Sequence, residues 1–117
     1  MGDEPATSRK ERRLGELRGL VERMRSAHEA IVEAGSLIRA AESLPPLGPH
    51  AATFIRLTSL ADDARQKLPS YRSQLDDARR RLGLEVALAS FEFPGDADVR
   101  RVMREAEEVA VMAALSR

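Results

Sequence analysis

Apolar residues recur at alternating spacings of three and four positions along the N-terminal part of the chain. These positions are Leu14, Leu17, Val21, Met24, His28, Ile31, Gly35 and Ile38. The spacing is that of a heptad a/d seam, which predicts a long amphipathic helix that packs against a second helix. Ser8 and Glu11 fit a capping box at its start, and the prolines within 45–49 cannot continue a helix. We predict a first helix over 8–43, preceded by a flexible lead-in over 1–7.

A second seam with the same spacing follows the proline-rich segment. Its positions are Phe54, Leu57, Ala61, Ala64, Leu68, Tyr71, Leu75, Ala78 and Leu82. The heptad passes Pro69 without a phase slip and leaves Pro69 at an outward position, so a kink is favoured there; a true break between two helices is the alternative. Gly83 is a plausible stop. The prediction is a second helix over 49–82.

The two seams fit one another when the second helix folds back on the first. In the register that matches every a position to a d position, Leu17 faces Leu75 and His28 faces Ala64. Large residues then repeatedly face small ones, as interdigitated layers require. The sequence therefore predicts a long antiparallel, coiled-coil-like helical hairpin.

A third helix is predicted at the C-terminus. Pro94 and Gly95 break the preceding segment, Asp96 or Asp98 can cap a new helix, and the helix runs over 97–115. Its expected core positions are Val99, Val102, Met103, Ala106, Val109, Ala110 and Ala113. It is expected to dock on the small, apolar flank of the first helix at Leu20, Ala27, Ala34 and Ala41.

The segment 84–93 is ambiguous between a helix and a strand. A single strand has no partner in an otherwise helical chain, so we expect a helical turn or a loop that packs Phe91 and Phe93 on the bundle. The predicted fold class is all-α: a helical hairpin with a third helix packed on it, forming one three- to four-helix bundle over 8–117.

Composition excludes several classes of function. The 117 residues contain no cysteine and two histidines, and 19 basic residues balance 19 acidic ones. We therefore expect no metal, no cofactor and no thiol chemistry, and the polar N-terminus favours a cytoplasmic protein without a membrane span. Seventeen of the basic residues are arginine, a bias typical of GC-rich bacterial or phage genomes. His28 lies in the seam and is expected to be a core residue rather than a metal ligand. No arrangement of residues typical of catalysis is visible, so the prediction is a protein that is not an enzyme.

An arginine ridge is the most distinctive surface feature of the sequence. It comprises the outward e positions Arg18, Arg25, Arg39, Arg65, Arg72 and Arg79. Arginine forks match carboxylates and phosphates, so the ridge is a candidate binding strip for an acidic partner or a phosphate backbone. Local pairing with Glu22, Asp62 and Asp76 is the alternative, and it is favoured because such pairs are common on helix surfaces.

The predicted hairpin also creates a basic end. Antiparallel pairing sets Arg9, Lys10, Arg12 and Arg13 beside Arg79, Arg80 and Arg81, while the connector that leaves from this end carries Glu85, Glu92, Asp96 and Asp98. Neutralisation within the chain is favoured over phosphate or nucleic-acid binding.

The end of the third helix, 109–115, is apolar on every side. One docked helix cannot cover Val111, Met112 and Leu115 together, so these residues are predicted to form an interface, with a homo-oligomer expected. The resulting functional prediction is a non-enzymatic helical bundle acting through protein–protein contacts, as an adaptor, assembly subunit or inhibitor. The alternative is a small phosphate-backbone or nucleic-acid-binding protein that uses the arginine ridge.

Overall fold

Three helices form an elongated bundle. A computed structural model describes residues 6–44 and 51–115, in which α1 spans Ala6–Ser43, α2 spans Ala51–Glu92 and α3 spans Ala97–Leu115. The principal-axis extents are 70 × 30 × 18 Å. α1 and α2 pack along each other as an antiparallel hairpin, and α3 packs on both. The predicted all-α bundle is confirmed, and the described residues contain no strand.

The start of α1 differs slightly from the prediction. The helix includes Ala6, so Ser8 lies within it and is not its N-cap. The predicted lead-in falls largely on residues 1–5, outside the described residues. Residues 45–50 also lie outside them, together with His50 and the start expected near Pro49.

α2 continues ten residues beyond the predicted end at Leu82, so Gly83 does not stop it. Glycine inside a helix costs only about 1 kcal/mol relative to alanine, and the buried stripe continues from Leu82 to Ala89. Pro69 lies inside the same helix on an exposed face, so there is no break between two helices.

The end of α2 places the two phenylalanines in different surroundings. Phe93 packs against the core, as expected. Phe91 does not, because it lies on the solvent side of α2 with 86% of its surface exposed. The expectation that both rings pack on the bundle is therefore wrong for Phe91.

The core forms where the three helices meet. The first five positions of the predicted α1 seam are buried, and Leu17 and Met24 are completely enclosed. The buried face of α3 consists of Val99, Val102, Ala106, Val109 and Ala113, with Met103 and Ala110 partly buried beside it. The predicted inward face of α3 is thus confirmed.

The register of the hairpin differs from the prediction. His28 shares a groove with Leu75 and Leu68 instead of facing Ala64. Compared with the predicted register, residues of α1 therefore lie level with residues of α2 that are two to three helical turns nearer the C-terminus of α2. A slip of this kind keeps apolar faces together, so periodicity alone does not select the layer. The predicted register would set Arg13 level with Arg79, whereas the observed one brings Arg13 to Glu85 and Glu92.

α3 covers only one half of the hairpin. It begins beside Lys10, which pairs with Asp96, and its 19 residues span about 28 Å. Its last buried residue, Ala113, lies beside His28. Of the expected docking flank, Leu20 and Ala27 are buried in the core that includes α3 residues. Ala34 and Ala41 are also buried, but beyond the end of α3, so the expectation that α3 docks on them is wrong. The half of the hairpin nearer the α1–α2 connection is therefore a two-helix segment.

Candidate interaction surfaces

The arginine ridge is exposed but divided. Arg25 donates to Glu22 at 2.5 Å, and Arg65 donates to Asp62 at 2.9 Å and to Glu42 at 3.4 Å. Local pairing therefore holds two of the ridge arginines within the chain. The first two pairs have the spacing expected from sequence, whereas the pair with Glu42 joins the two helices.

The remaining ridge residues, and Arg80 and Arg81 of the basic end, lie in separate surroundings. Arg39 and Arg72 line a groove between α1 and α2, while Arg79 and Arg80 line a shallow depression with Gly83 and Leu84. Arg18 and Arg81 are exposed to solvent. The ridge is thus not one continuous basic strip.

The basic end of the hairpin is neutralised by the acidic residues around the α2–α3 connection. Lys10 Nζ lies 2.7 Å from Asp96 and 3.0 Å from Asp98. Arg13 pairs with Glu85, and its second guanidinium nitrogen lies 2.5 Å from Glu92. Internal neutralisation, the interpretation favoured from sequence, is confirmed for these two basic residues.

Asp96 fixes the start of α3 as well as pairing with Lys10. Its Oδ1 accepts hydrogen bonds from the backbone amides of Asp98 at 2.9 Å and Val99 at 3.2 Å, which is N-cap geometry. The hydrogen bond from Lys10 lowers the pKa of Asp96, and hydrogen bonds to Asp96 and Asp98 raise the pKa of Lys10. The contact therefore favours the charged forms of both side chains and ties the start of α3 to α1.

A groove continues along the hairpin from the point where α3 ends. It has a volume of ≈ 720 Å³, and its lining residues are His28, Ile31, Val32, Gly35, Arg39, Leu68, Arg72, Leu75, Asp76 and Ala113. Because the two helices are antiparallel, His28 and Asp76 lie at the end next to Ala113. Arg39 and Leu68 lie at the other end, nearer the α1–α2 connection. The groove is the track that a longer third helix would occupy.

Two arginines line this groove without carboxylate partners. Arg39 folds back along α1, and a Cβ atom at Gly35 would lie 3.4 Å from its Nη1. Among the residues that the structure describes, no ion pair or hydrogen bond engages Arg39 or Arg72. The groove therefore combines an apolar floor with two free guanidinium groups, a combination that fits an apolar ligand surface carrying anionic groups.

A second apolar surface lies on the C-terminal part of α2. Leu84, Leu88 and Phe91 are 68%, 47% and 86% exposed, and their spacing of four and three places them on one face of the helix. We call these three residues the α2 stripe. The α2 stripe lies beyond Gly83, the predicted end of the second helix, and so falls outside the predicted helix although its spacing is visible in the sequence.

The end of α3 is exposed as predicted. Val111, Met112 and Leu115 are 57%, 51% and 81% exposed, whereas Val109 is buried. Met112 and Leu115 continue a line of exposed residues that begins with Glu105 and Glu108, with spacings of three, four and three. These four residues, called the α3 flank below, form one face of the helix that is acidic at its N-terminal part and apolar at its C-terminal part.

The described residues provide no metal centre and no membrane-spanning element. No group of three or more histidine or acidic side chains within them could hold a metal ion. His28 is buried, as expected for a core position, and only 7% of its surface is exposed. None of the three helices is long and apolar enough to cross a lipid bilayer.

Comparison with known proteins identifies no relative, so these surfaces are interpreted from their own residues. No protein-family description, no curated protein and no solved structure matches the chain.

Proposed function

We propose that this protein is a non-enzymatic helical bundle that acts through protein–protein contacts, as an adaptor, an assembly subunit or an inhibitor. The α2 stripe carries this proposal. Three large apolar side chains lie exposed at helical spacing on one face of an ordered helix. Contiguous exposed apolar surface of this kind is typical of an interaction site, and a partner helix reads such a face through residues at positions i, i+4 and i+7.

The arrangement of charges supports protein binding more than nucleic-acid binding. Arg25 and Arg65 are paired with acidic neighbours, and Lys10 and Arg13 are neutralised by the α2–α3 connection. A phosphate-binding protein presents free cations along one track, whereas the free arginines here are separated. Nucleic-acid binding by the ridge remains the alternative proposal, and a cytoplasmic, coiled-coil-like protein is consistent with both.

An affinity capture with matched variants tests the proposal. Tagged wild-type protein, a Leu84→Gln/Leu88→Gln/Phe91→Gln variant and a Gln66→Glu/Ser70→Glu control are incubated with lysate of the native host, and the captured proteins are quantified. The control changes residues that are exposed and polar on the same helix. We expect a defined set of proteins on the wild type and the control, reduced at least about tenfold on the α2-stripe variant.

Two results would contradict the proposal. Equal capture by all three proteins would show that the α2 stripe is not an interaction site. Capture of nucleic acid that decreases steeply with salt concentration and requires the ridge arginines would favour the alternative.

A further inference from the structure

The groove between α1 and α2 is matched by a surface that this same chain exposes. The first surface is the groove, in which apolar side chains form the floor and no described residue pairs with Arg39 or Arg72. His28 and Asp76, which both have interactions of their own, lie at its Ala113 end. The second surface is the α3 flank, with two exposed carboxylates and two exposed apolar side chains. Among the described residues, no basic side chain pairs with Glu105 or Glu108. Charge and hydropathy are therefore complementary between two surfaces of one chain.

The two surfaces also agree in length. From His28 to Arg39 the groove follows α1 for eleven residue steps, or about 17 Å. From Glu105 to Leu115 the α3 flank extends over ten steps, or about 15 Å. A helix carrying this flank therefore covers the groove from one end to the other.

The order of charged and apolar residues along the two surfaces fits a second α3 that runs antiparallel to the resident α3. Leu75 lies at the Ala113 end of the groove together with His28 and Asp76, whereas Arg72 and then Arg39 lie farther toward the α1–α2 connection. A second α3 that approaches from that side places Glu105 and Glu108 near Arg39 and Arg72. Its Met112 then lies over the apolar floor, beside the end of the resident α3.

A two-fold axis satisfies both matches at once. The resident α3 ends at the groove, because Ala113 lines it, so the groove and the α3 flank belong to adjoining parts of one copy. In an isologous dimer, the flank of each copy meets the groove of the other, and the same contact forms twice. The chain cannot make this contact within itself, because its own α3 is held at the opposite half of the hairpin by the contact between Lys10 and Asp96.

We propose that two copies of this chain form an antiparallel dimer in which the α3 flank of each copy docks into the groove of the other. The ion pairs at Arg39 and Arg72 set the register, while Met112 and Leu115 supply the apolar contact. The inference rests on the proposed function, because it assigns one protein partner to a bundle that acts through protein contacts. It leaves the α2 stripe available for a different protein.

Reciprocal charge reversal tests the dimer. The groove variant is Arg39→Glu/Arg72→Glu, and the flank variant is Glu105→Arg/Glu108→Arg. The control is Arg18→Glu/Arg79→Glu, which reverses two exposed ridge arginines outside the groove. Each variant alone would oppose like charges in both contacts of the dimer, whereas an equimolar mixture of the groove and flank variants restores opposite charges in both contacts.

Sedimentation velocity at micromolar concentration gives the readout. We expect the wild type and the control to be dimers, and each of the other two variants to be a monomer with a dimer dissociation constant raised at least about tenfold. Their mixture is expected to form a heterodimer. Far-ultraviolet circular dichroism verifies the helical content of each variant, and a variant that has lost it is replaced by its Arg→Gln or Glu→Gln counterpart, for which weaker dimerisation is expected.

Three results would overturn this inference. They are a monomeric wild type at all concentrations tested, single variants that dimerise as the wild type does, and a mixture that stays monomeric. A monomeric wild type leaves the proposed function standing if capture still depends on the α2 stripe. Conversely, a dimer with the expected charge dependence but no stripe-dependent capture supports the dimer and contradicts the proposal for the stripe.

Discussion

A matched pair of valine truncations in α3 tests how this helix docks on the hairpin. Val102 is 1% exposed and lies in the core, whereas Val111 in the same helix is 57% exposed. Replacing either residue by alanine removes the same two methyl groups. The two variants therefore differ mainly in burial, and their difference isolates the packing of α3 against α1 and α2.

The expected size of the effect follows from the buried carbon removed. Two buried methyl groups contribute about 1.6 kcal/mol at roughly 0.8 kcal/mol each, and an unfilled cavity adds to the loss. Alanine favours a helix over valine by about 0.5 kcal/mol, which offsets part of it at both positions. We expect Val102→Ala to lower the free energy of unfolding by about 1–2 kcal/mol and Val111→Ala to change it by less than about 0.5 kcal/mol.

Urea denaturation followed by circular dichroism measures both values. With a denaturant slope of about 1–3 kcal/mol per molar urea, the midpoint of Val102→Ala should fall by roughly 0.3–2 M. The measurement is made at a protein concentration low enough to avoid self-association. Equal losses for the two variants, or a larger loss for Val111→Ala, would refute the observed orientation of α3.

Three further predictions concern the seam, the charge cluster and the turn before α3. Ala61 is completely buried, so Ala61→Leu should overpack the seam and lower the free energy of unfolding by roughly 1–3 kcal/mol in urea denaturation. The exposed Ser59→Leu should be nearly neutral, and equal effects would show that the phase of α2 is wrong. Lys10 lowers the pKa of Asp96, so the stability from their contact is present above the unfolded-state pKa of Asp96 and is lost as pH falls through the folded-state pKa. Asp96→Asn should therefore remove this dependence of the free energy of unfolding on pH in the acidic range. Gly95→Ala should lower the melting temperature, because Gly95 has a φ of 75°, a conformation that strains an alanine; an unchanged melting temperature would contradict this.

The helices themselves were largely predictable from the sequence. Heptad spacing of apolar residues predicts which face of a helix is buried. The buried positions from Leu14 to Met24 in α1 and from Val99 to Ala113 in α3 follow from it directly. The cap of α3 was predictable to within two residues: the sequence offers Asp96 and Asp98, and the structure shows that Asp96 accepts from the first amides of the helix. These features depend on local chemistry, which one sequence contains in full.

The register and the end of α2 required information that spacing does not contain. A heptad seam looks the same after a slip of one repeat, so the choice of layer depends on contacts between distant residues such as Arg13 and Glu85. Gly83 does not end α2, because its cost of about 1 kcal/mol is small beside the packing of Leu82 and Ala89 on the core. The groove was missed as a consequence, since it exists only in the observed register and only where α3 ends.

The position of α3 explains why the interaction surfaces lie where they do. Contacts of Lys10 with Asp96 and of Arg13 with Glu92 hold the α2–α3 connection at one end of the molecule, and from there a helix of 19 residues extends about 28 Å along a molecule 70 Å long. α3 therefore cannot reach the half of the hairpin nearer the α1–α2 connection. Two arginines illustrate this difference, because Arg13, near the start of α3, pairs with Glu92, whereas no described residue pairs with Arg39, beyond the end of α3. Within the part of the chain that the structure describes, no helix extends over the groove between Ala113 and Arg39, because α3 ends at its edge.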